Sequence, residues 1–193
     1  MANHFFAYLS RMKHIRRWGL MRNTLPENDM EHAMQAAMIA HGLAVLGNTR
    51  YGRNYDPEHA MALALYHDAS EVITGDLPTP IKHNNPHIKA EYRKIERVAV
   101  RRLLEMLPDD MRPAFRPLLE SDPESPEWLL VRAADKLCAY TKCLEETKAG
   151  NTEFLEARDS LIATLHANPL PEVQEFIADF IPGFGMSLDQ ISR

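Results

Sequence analysis

A chain of 193 residues with 45% apolar and 25% charged side chains has the material for one hydrophobic core and too balanced a composition for disorder. Its formal net charge of −5 excludes wholesale binding to a nucleic acid polymer, though local arginines can still hold a small anion. No stretch approaches the apolar length of a membrane span, and Met1-Ala2-Asn3-His4-Phe5-Phe6 has no basic region ahead of a long apolar core. The expectation is a single domain over residues 1–193, cytoplasmic, with no membrane and no nucleic acid polymer as partner.

Helical periodicity dominates, broken at intervals by proline and glycine, and no run alternates as a strand does; an all-α helical bundle is expected. A first helix over about 5–15 buries Phe5, Leu9 and Met12 and ends at the cluster Arg16-Arg17-Trp18. Residues 21–28, with Pro26, read as a loop. Asn28 and Glu31 form a capping box for a helix over about 29–46, with His32 in its first turn. Met30, Met34, Met38 and, in the next helix, Met61 stand at core-filling spacing. His41, nine residues beyond His32, points to another part of the helix surface.

Asp56-Pro57 reads as an N-cap and first turn of a helix reaching about residue 73. Its apolar run Met61-Ala62-Leu63-Ala64-Leu65-Tyr66 leads into His67-Asp68-Ala69-Ser70-Glu71. A loop stiffened by Pro78 and Pro80 follows at 74–80. Pro86 opens a helix to about 107, with Ile88, Tyr92, Ile95, Ala99, Leu103 and Met106 as its apolar stripe; His83 and His87 beside it read as surface residues. The segment 108–119 is interrupted by Pro113 and Pro117. Ser125-Pro126 starts a long helix through Asp135 to Ala149-Gly150, where Gly150 suits a left-handed cap. Helices over about 152–165 and 171–181 close the chain. Cys138 and Cys143, five apart on one helix, face different ways and read as two reduced thiols.

On the Pro57 helix Glu71 lies four residues past His67 and three past Asp68, so the three can share one side. Burying a histidine and two carboxylates there is expensive unless something satisfies them, and a cation with a bound water would. His32 is the leading upstream ligand to complete the set. Asp135, within Val131-Arg132-Ala133-Ala134-Asp135-Lys136-Leu137, is the leading downstream one. Two imidazoles and two carboxylates suit one divalent metal ion, with zinc, manganese, cobalt and iron all compatible. Each residue also has an ordinary reading: His32 as a packed core histidine, Asp135 paired with Arg132 or Lys136, Arg17 as a helix-end charge, Trp18 as a core anchor.

The order His32, His67-Asp68, Asp135 resembles the H…HD…D signature of the HD-domain metal-dependent phosphohydrolases. Further segments extend the likeness over nearly the whole chain: Phe5-Phe6, Arg17-Trp18, Glu31-His32, Tyr66-His67-Asp68-Ala69-Ser70-Glu71-Val72, Gly75-Asp76-Leu77-Pro78-Thr79-Pro80 and Lys142-Cys143-Leu144-Glu145-Glu146. Together they are similar to the bacterial 5'-deoxynucleotidases, which release phosphate from deoxyribonucleoside 5'-monophosphates. The resemblance implies one divalent ion on His32, His67, Asp68 and Asp135. It implies that Arg17 orients the phosphate, that Trp18 helps hold sugar and base, and that Glu71 is a catalytic carboxylate. It sets Asp76, Leu77, Pro78 and Thr79 against the nucleotide, with His32, Asp68 and Asp135 also bordering the substrate, and it implies a homodimer. One departure is Met30, where a small hydroxyl residue is expected.

In such a site the ion lowers the pKa of its water, Glu71 positions that water or takes its proton, and the planar fork of Arg17 binds two phosphate oxygens. Asp76 either bonds the sugar 3'-hydroxyl or assists departure of the 5'-oxygen. A wall of Trp18, Pro78 and Pro80 would exclude a 2'-hydroxyl. Two other functions compete: an HD phosphohydrolase for nucleoside triphosphates or signalling nucleotides, and a non-catalytic metal-containing nucleotide sensor. No dense basic cluster for a triphosphate accompanies the motifs, and a sensor has no need of Glu71.

Overall fold

Capped N-termini and small inward-facing residues let the long helices of this chain approach closely. The computed structural model describes residues 3–78 and 85–192. In chain order the helices are α1 (Phe5–Leu9), running into a 3-10 turn at Ser10–His14, α2 (Asp29–Tyr51), α3 (Pro57–Tyr66), α4 (Glu71–Thr74), α5 (Pro86–Glu105), α6 (Arg112–Leu119) and α7 (Pro126–Lys148). A 3-10 turn at Thr152–Phe154 then leads to α8 (Leu155–His166), α9 (Pro171–Asp179), α10 (Ile181–Phe184) and α11 (Leu188–Ile191). The fold is all-α: among the described residues the one β-type pairing is an isolated antiparallel bridge between Arg16 and Asn28. No described helix is long and apolar enough to cross a membrane.

The capping residues expected from sequence act as caps. Asn28 Oδ1 accepts from the N–H groups of Met30 and Glu31, both at 3.1 Å, and Glu31 accepts in return from Asn28 N–H at 3.3 Å. Asp56 accepts from His59 N–H at 2.9 Å, and Ser125 from Trp128 N–H at 3.2 Å. Gly150 has φ 86° at the end of α7. The helix α2 runs past residue 46 to Tyr51 and stops at Gly52, whose φ is 62°. A Cβ on Gly47 would sit 2.5 Å from the ring of Tyr55. The hydroxyl of Tyr55 donates to buried Glu172 of α9 at 2.6 Å.

The main core joins α2, α3 and α7 through Ala36, Ala40, Leu43, Ala60, Leu63, Leu130, Ala134 and Leu137, closed by Leu165, Val173 and Phe176. A second cluster packs Phe5, Ala69, Leu103, Leu104 and Leu107 together, with Phe115 edge-on to Phe5 at 5.2 Å. Truncating any fully buried leucine here to alanine would cost about 2–5 kcal/mol.

Three expectations need correction. The methionines are not core filling: Met30, Met34, Met38 and Met61 are 40%, 57%, 62% and 37% exposed. The face of α2 that meets α3 and α7 is the alanine-rich one, because helices packed this closely leave no room for a long side chain. The stripe of α5 is buried only at Ala99 and Leu103, while Ile88 and Ile95 are exposed. Finally, α3 ends at Tyr66 and not near residue 73.

Candidate active site

Three helices and one loop converge on a single polar cluster. His32, in the first turn of α2, is 1% exposed. Asp135 sits mid-way along α7 with its side chain 41% exposed, so the cluster opens to solvent on that side. His67 and Asp68 lie in the break between α3 and α4. There the chain leaves α-helical bonding: Ala69 N–H bonds Tyr66 C=O at 3.0 Å and Glu71 N–H bonds Asp68 C=O at 2.9 Å. His67 Nδ1 lies 2.7 Å from Ala64 C=O. A carbonyl only accepts, so Nδ1 carries a proton and serves a helix-end carbonyl while Nε2 faces the cluster.

His32 Nε2 is 3.1 Å from Asp135 Oδ1 and 3.8 Å from Asp68 Oδ2. His67 Nε2 is 3.1 Å from Asp68 Oδ2 and 4.0 Å from Asp135 Oδ1. Ligand atoms of His32, His67 and Asp135 all lie within 4.8 Å of one another. Both Nε2 atoms are buried without an aligned hydrogen bond among the described residues. Two such imidazole nitrogens facing two carboxylates fit a divalent cation with mixed nitrogen and oxygen ligands.

Electrostatics favour positive charge at this point. Burial alone would depress His67, but Asp68 and Asp135 outweigh it and push the imidazole up to about 9. Burial likewise works against ionisation of Asp68 and Asp135, yet His67 and Arg17 for the first and His32 for the second hold them below the usual carboxylate range.

Arg17 supplies the fourth side of the cluster. Its Nη1 donates to Asp68 Oδ2 at 3.2 Å and lies 3.9 Å from Asp29 Oδ1, while Nη2 is 3.9 Å from Asp135 Oδ1. The bridge at Arg16 and the bond from Arg17 N–H to Glu27 C=O, 3.1 Å, set the guanidinium at the head of α2. Trp18 adopts φ 56°; its indole N–H donates to Glu27 Oε2 at 3.0 Å and its ring leans on Phe154.

Glu71 opens α4 and is 3% exposed. Asp76 follows Gly75 and is half-buried, within reach of the Arg17 and Asp29 charges. Leu77 and Pro78 are half-buried beside it. Thr79, Pro80 and His83 lie outside the described residues. The structure therefore brings Arg17, His32, His67, Asp68 and Asp135 into direct contact. Asp135 makes no ion pair with Arg132 or Lys136 among the described residues.

A family model for YfbR-like 5'-deoxynucleotidases matches residues 4–184. The chain belongs to the YfbR-like 5'-deoxynucleotidase family. A 5'-deoxynucleotidase of Photorhabdus temperata is 53% identical over 191 residues, 98% of this chain and 97% of the relative. One from Shewanella oneidensis is 50% identical over 192 residues, covering 99% and 98%. In fold, the chain is similar to an HD-domain phosphohydrolase from Listeria innocua, with TM-score 0.83 and 21% identity over 100% of this chain and 97% of that one. It is also similar to a cyanophage S-2L HD phosphohydrolase bound to dA and one catalytic Zn2+ ion, with TM-score 0.62 and 21% identity over 92% and 94%.

Two carboxylates of this YfbR-like family member escape a reading of the sequence. Glu27 gathers three partners: the Trp18 indole, Arg17 Nε at 3.7 Å and His32 Nδ1 at 3.8 Å. Asp29 is fully buried, with Oδ1 3.9 Å from Arg17 Nη1. Burial, then the charge of Asp68, pushes Asp29 up to about 7 against the pull of Arg17. Both residues pass in the sequence for acidic groups favouring a helix N-terminus. Only the Glu31 partner of the Asn28 cap marks where that helix begins.

Proposed function

We infer that the protein is a metal-dependent 5'-deoxynucleotidase, hydrolysing deoxyribonucleoside 5'-monophosphates to deoxynucleosides and inorganic phosphate. The observation that carries this reading is identity of 53% to a 5'-deoxynucleotidase along 98% of the chain. Convergence of His32, His67, Asp68, Asp135 and Arg17 supports it. His32, His67, Asp68 and Asp135 would hold one divalent cation, for which zinc, manganese, cobalt and iron are all chemically suited. Bound there, the cation supplies Lewis-acid polarisation of the phosphoryl group and a lowered pKa for the attacking water.

The remaining roles fall to side chains of this chain. Arg17 binds phosphate oxygens through its planar fork, drawing on a guanidinium already aimed at the cluster. Glu71 accepts the proton of the water that forms the new P–O bond. The bond from phosphorus to O5' breaks, and O5' takes up the proton that the water gave to Glu71, so that the base is restored. Asp76 would either bond the sugar 3'-hydroxyl or assist departure of O5', with Trp18, Leu77 and Pro78 set against the nucleoside. His32, Asp68 and Asp135 border the substrate as well as the ion.

Phosphate release from a panel of deoxy-mono-, ribo-mono- and deoxytriphosphates, each with several divalent ions, tests this reading. Deoxymonophosphates should be turned over and triphosphates spared; preference for triphosphates would overturn it, and equal turnover of ribonucleotides would remove the 2'-hydroxyl exclusion. Glu71→Ala should keep its metal and lose about 10²–10⁴ in kcat.

A cytoplasmic homodimer completes the proposal. Buried, unpaired Cys138 and Cys143 support a reducing compartment. The exposed row Leu25, Met30, Met34 and Met38, beside Pro26 and Gln35, offers an apolar face for a second copy. Met34→Glu should shift sedimentation toward the monomer, and an unaltered dimer would move the interface elsewhere.

A further inference from the structure

Near its C-terminal end α7 buries an ion pair that takes no part in the histidine–aspartate cluster. Lys142 is 4% exposed and Glu146, one turn later, 1%. Lys142 Nζ donates to Glu146 Oε1. Such a pair is tolerated inside a protein when further hydrogen bonds use the remaining lone pairs and protons. Here those bonds go to one surface loop. Glu146 accepts from Thr24 N–H at 2.8 Å and from Leu25 N–H at 3.1 Å, and Lys142 also donates to Leu25 C=O. Asn151 Nδ2 donates to Glu146 Oε2 at 2.8 Å and to Arg22 C=O at 2.7 Å.

The gripped residues join Trp18 to Glu27. Inside that segment Asn23 Nδ2 donates to Trp18 C=O at 3.2 Å, and the indole reaches Glu27. The Trp18 ring leans on Phe154, and Lys142 Nζ stands 5.7 Å from the centre of that same ring. Among the described residues Trp18 is the non-glycine residue with positive φ, a conformation that lasts only where surroundings hold it.

We propose that Lys142, Glu146 and Asn151 form a brace that positions the Arg17–Trp18 edge of the nucleotide site, making them positioning residues for substrate binding. This rests on the deoxynucleotidase reading above. Burial opposes the charge on Glu146, but Lys142, Asn151 and Thr24 outweigh it and hold the carboxyl well below its ordinary range, so Glu146 stays ionised near neutral pH. Its effect falls on recognition: the loop it fixes carries the phosphate-facing arginine and the indole, while His32, His67, Asp68 and Asp135 are fixed by α2, the α3–α4 break and α7.

Glu146→Gln keeps the shape and removes the charge. The KM for deoxyadenosine 5'-monophosphate should rise about tenfold, with kcat within about threefold of wild type and metal stoichiometry unchanged. In a Trp128→Phe background Trp18 is the sole indole. There Glu146→Gln should raise acrylamide quenching of Trp18 emission with or without metal. If Glu146→Gln does not fold, Asn151→Ala, which strands no charge, carries both readouts. Unchanged KM together with unchanged quenching overturns the brace, as does joint loss of kcat and metal. Wild-type protein that released no phosphate from this nucleotide would instead remove the deoxynucleotidase reading, and the quenching comparison would still decide the brace.

Discussion

His32 Nε2 meets Asp135 Oδ1 at 3.1 Å, joining the first turn of α2 to the middle of α7. In the proposed metal site both are ligands. Asp135→Ala should therefore weaken binding of the divalent ion by more than about 100-fold, beyond the 10–100-fold typical of outer-shell changes. The fold should persist, because Asp135 is partly exposed and outside the core clusters. Metal analysis after dialysis, with circular dichroism alongside, checks both; full retention of metal would remove Asp135 from the set.

Glu27 stands behind His32 at 3.8 Å and anchors the Trp18 indole. At 3.8 Å, with no hydrogen bond to Nδ1, this carboxylate acts on the imidazole through its charge, which favours a cation at Nε2. Glu27→Gln should lower metal affinity about tenfold, less than loss of a ligand and more than a surface change. Competition with a chelator of known affinity measures it.

Arg17→Lys keeps the charge and loses the fork. With lysine a single nitrogen replaces the paired donors of the planar guanidinium, so two phosphate oxygens are no longer held together and kcat/KM should fall about 100-fold. Metal content should hold. An activity within threefold of wild type would mean that the guanidinium serves the Asp68 carboxylate more than the substrate.

Asp29 gives the folded protein a pH signature. Its pKa of about 7 lies above the ordinary 3.8, so between those values the native state binds a proton that the unfolded chain does not. The stability this contributes is complete below about pH 4 and is lost as pH rises through about 7. Asp29→Asn should flatten that decline and gain on wild type at pH 8. Urea unfolding of metal-free protein across pH 5–8 tests it; parallel curves for the two proteins would show that Asp29 is ionised throughout.

Much of the architecture is legible along the chain because local signals and tertiary fold agree. Asn28, Asp56 and Ser125 all cap the helices they announce. His32, His67, Asp68 and Asp135 stand out because each is a polar group set in an apolar helical run. What escapes is fixed by packing between distant segments. The four-residue spacing of Met30, Met34 and Met38 marks a face of α2, but not whether that face turns inward; the alanines at 33, 36, 37 and 40 form the buried face. Glu27 and Asp29 look like first-turn acids, and only the return of the Arg17 segment across the head of α2 buries them.

The interruption after Tyr66 limits how this chain can be hardened against heat. Neighbouring residues on an unbroken helix diverge by about 100°, so the adjacent imidazole and carboxylate at 67 and 68 can address one ion only by giving up regular helical geometry. A substitution at Ser70 chosen for helix propensity alone would reward the very conformation that parts them. In thermostabilised variants this short stretch should therefore be left alone, and added rigidity sought on the far side of the bundle.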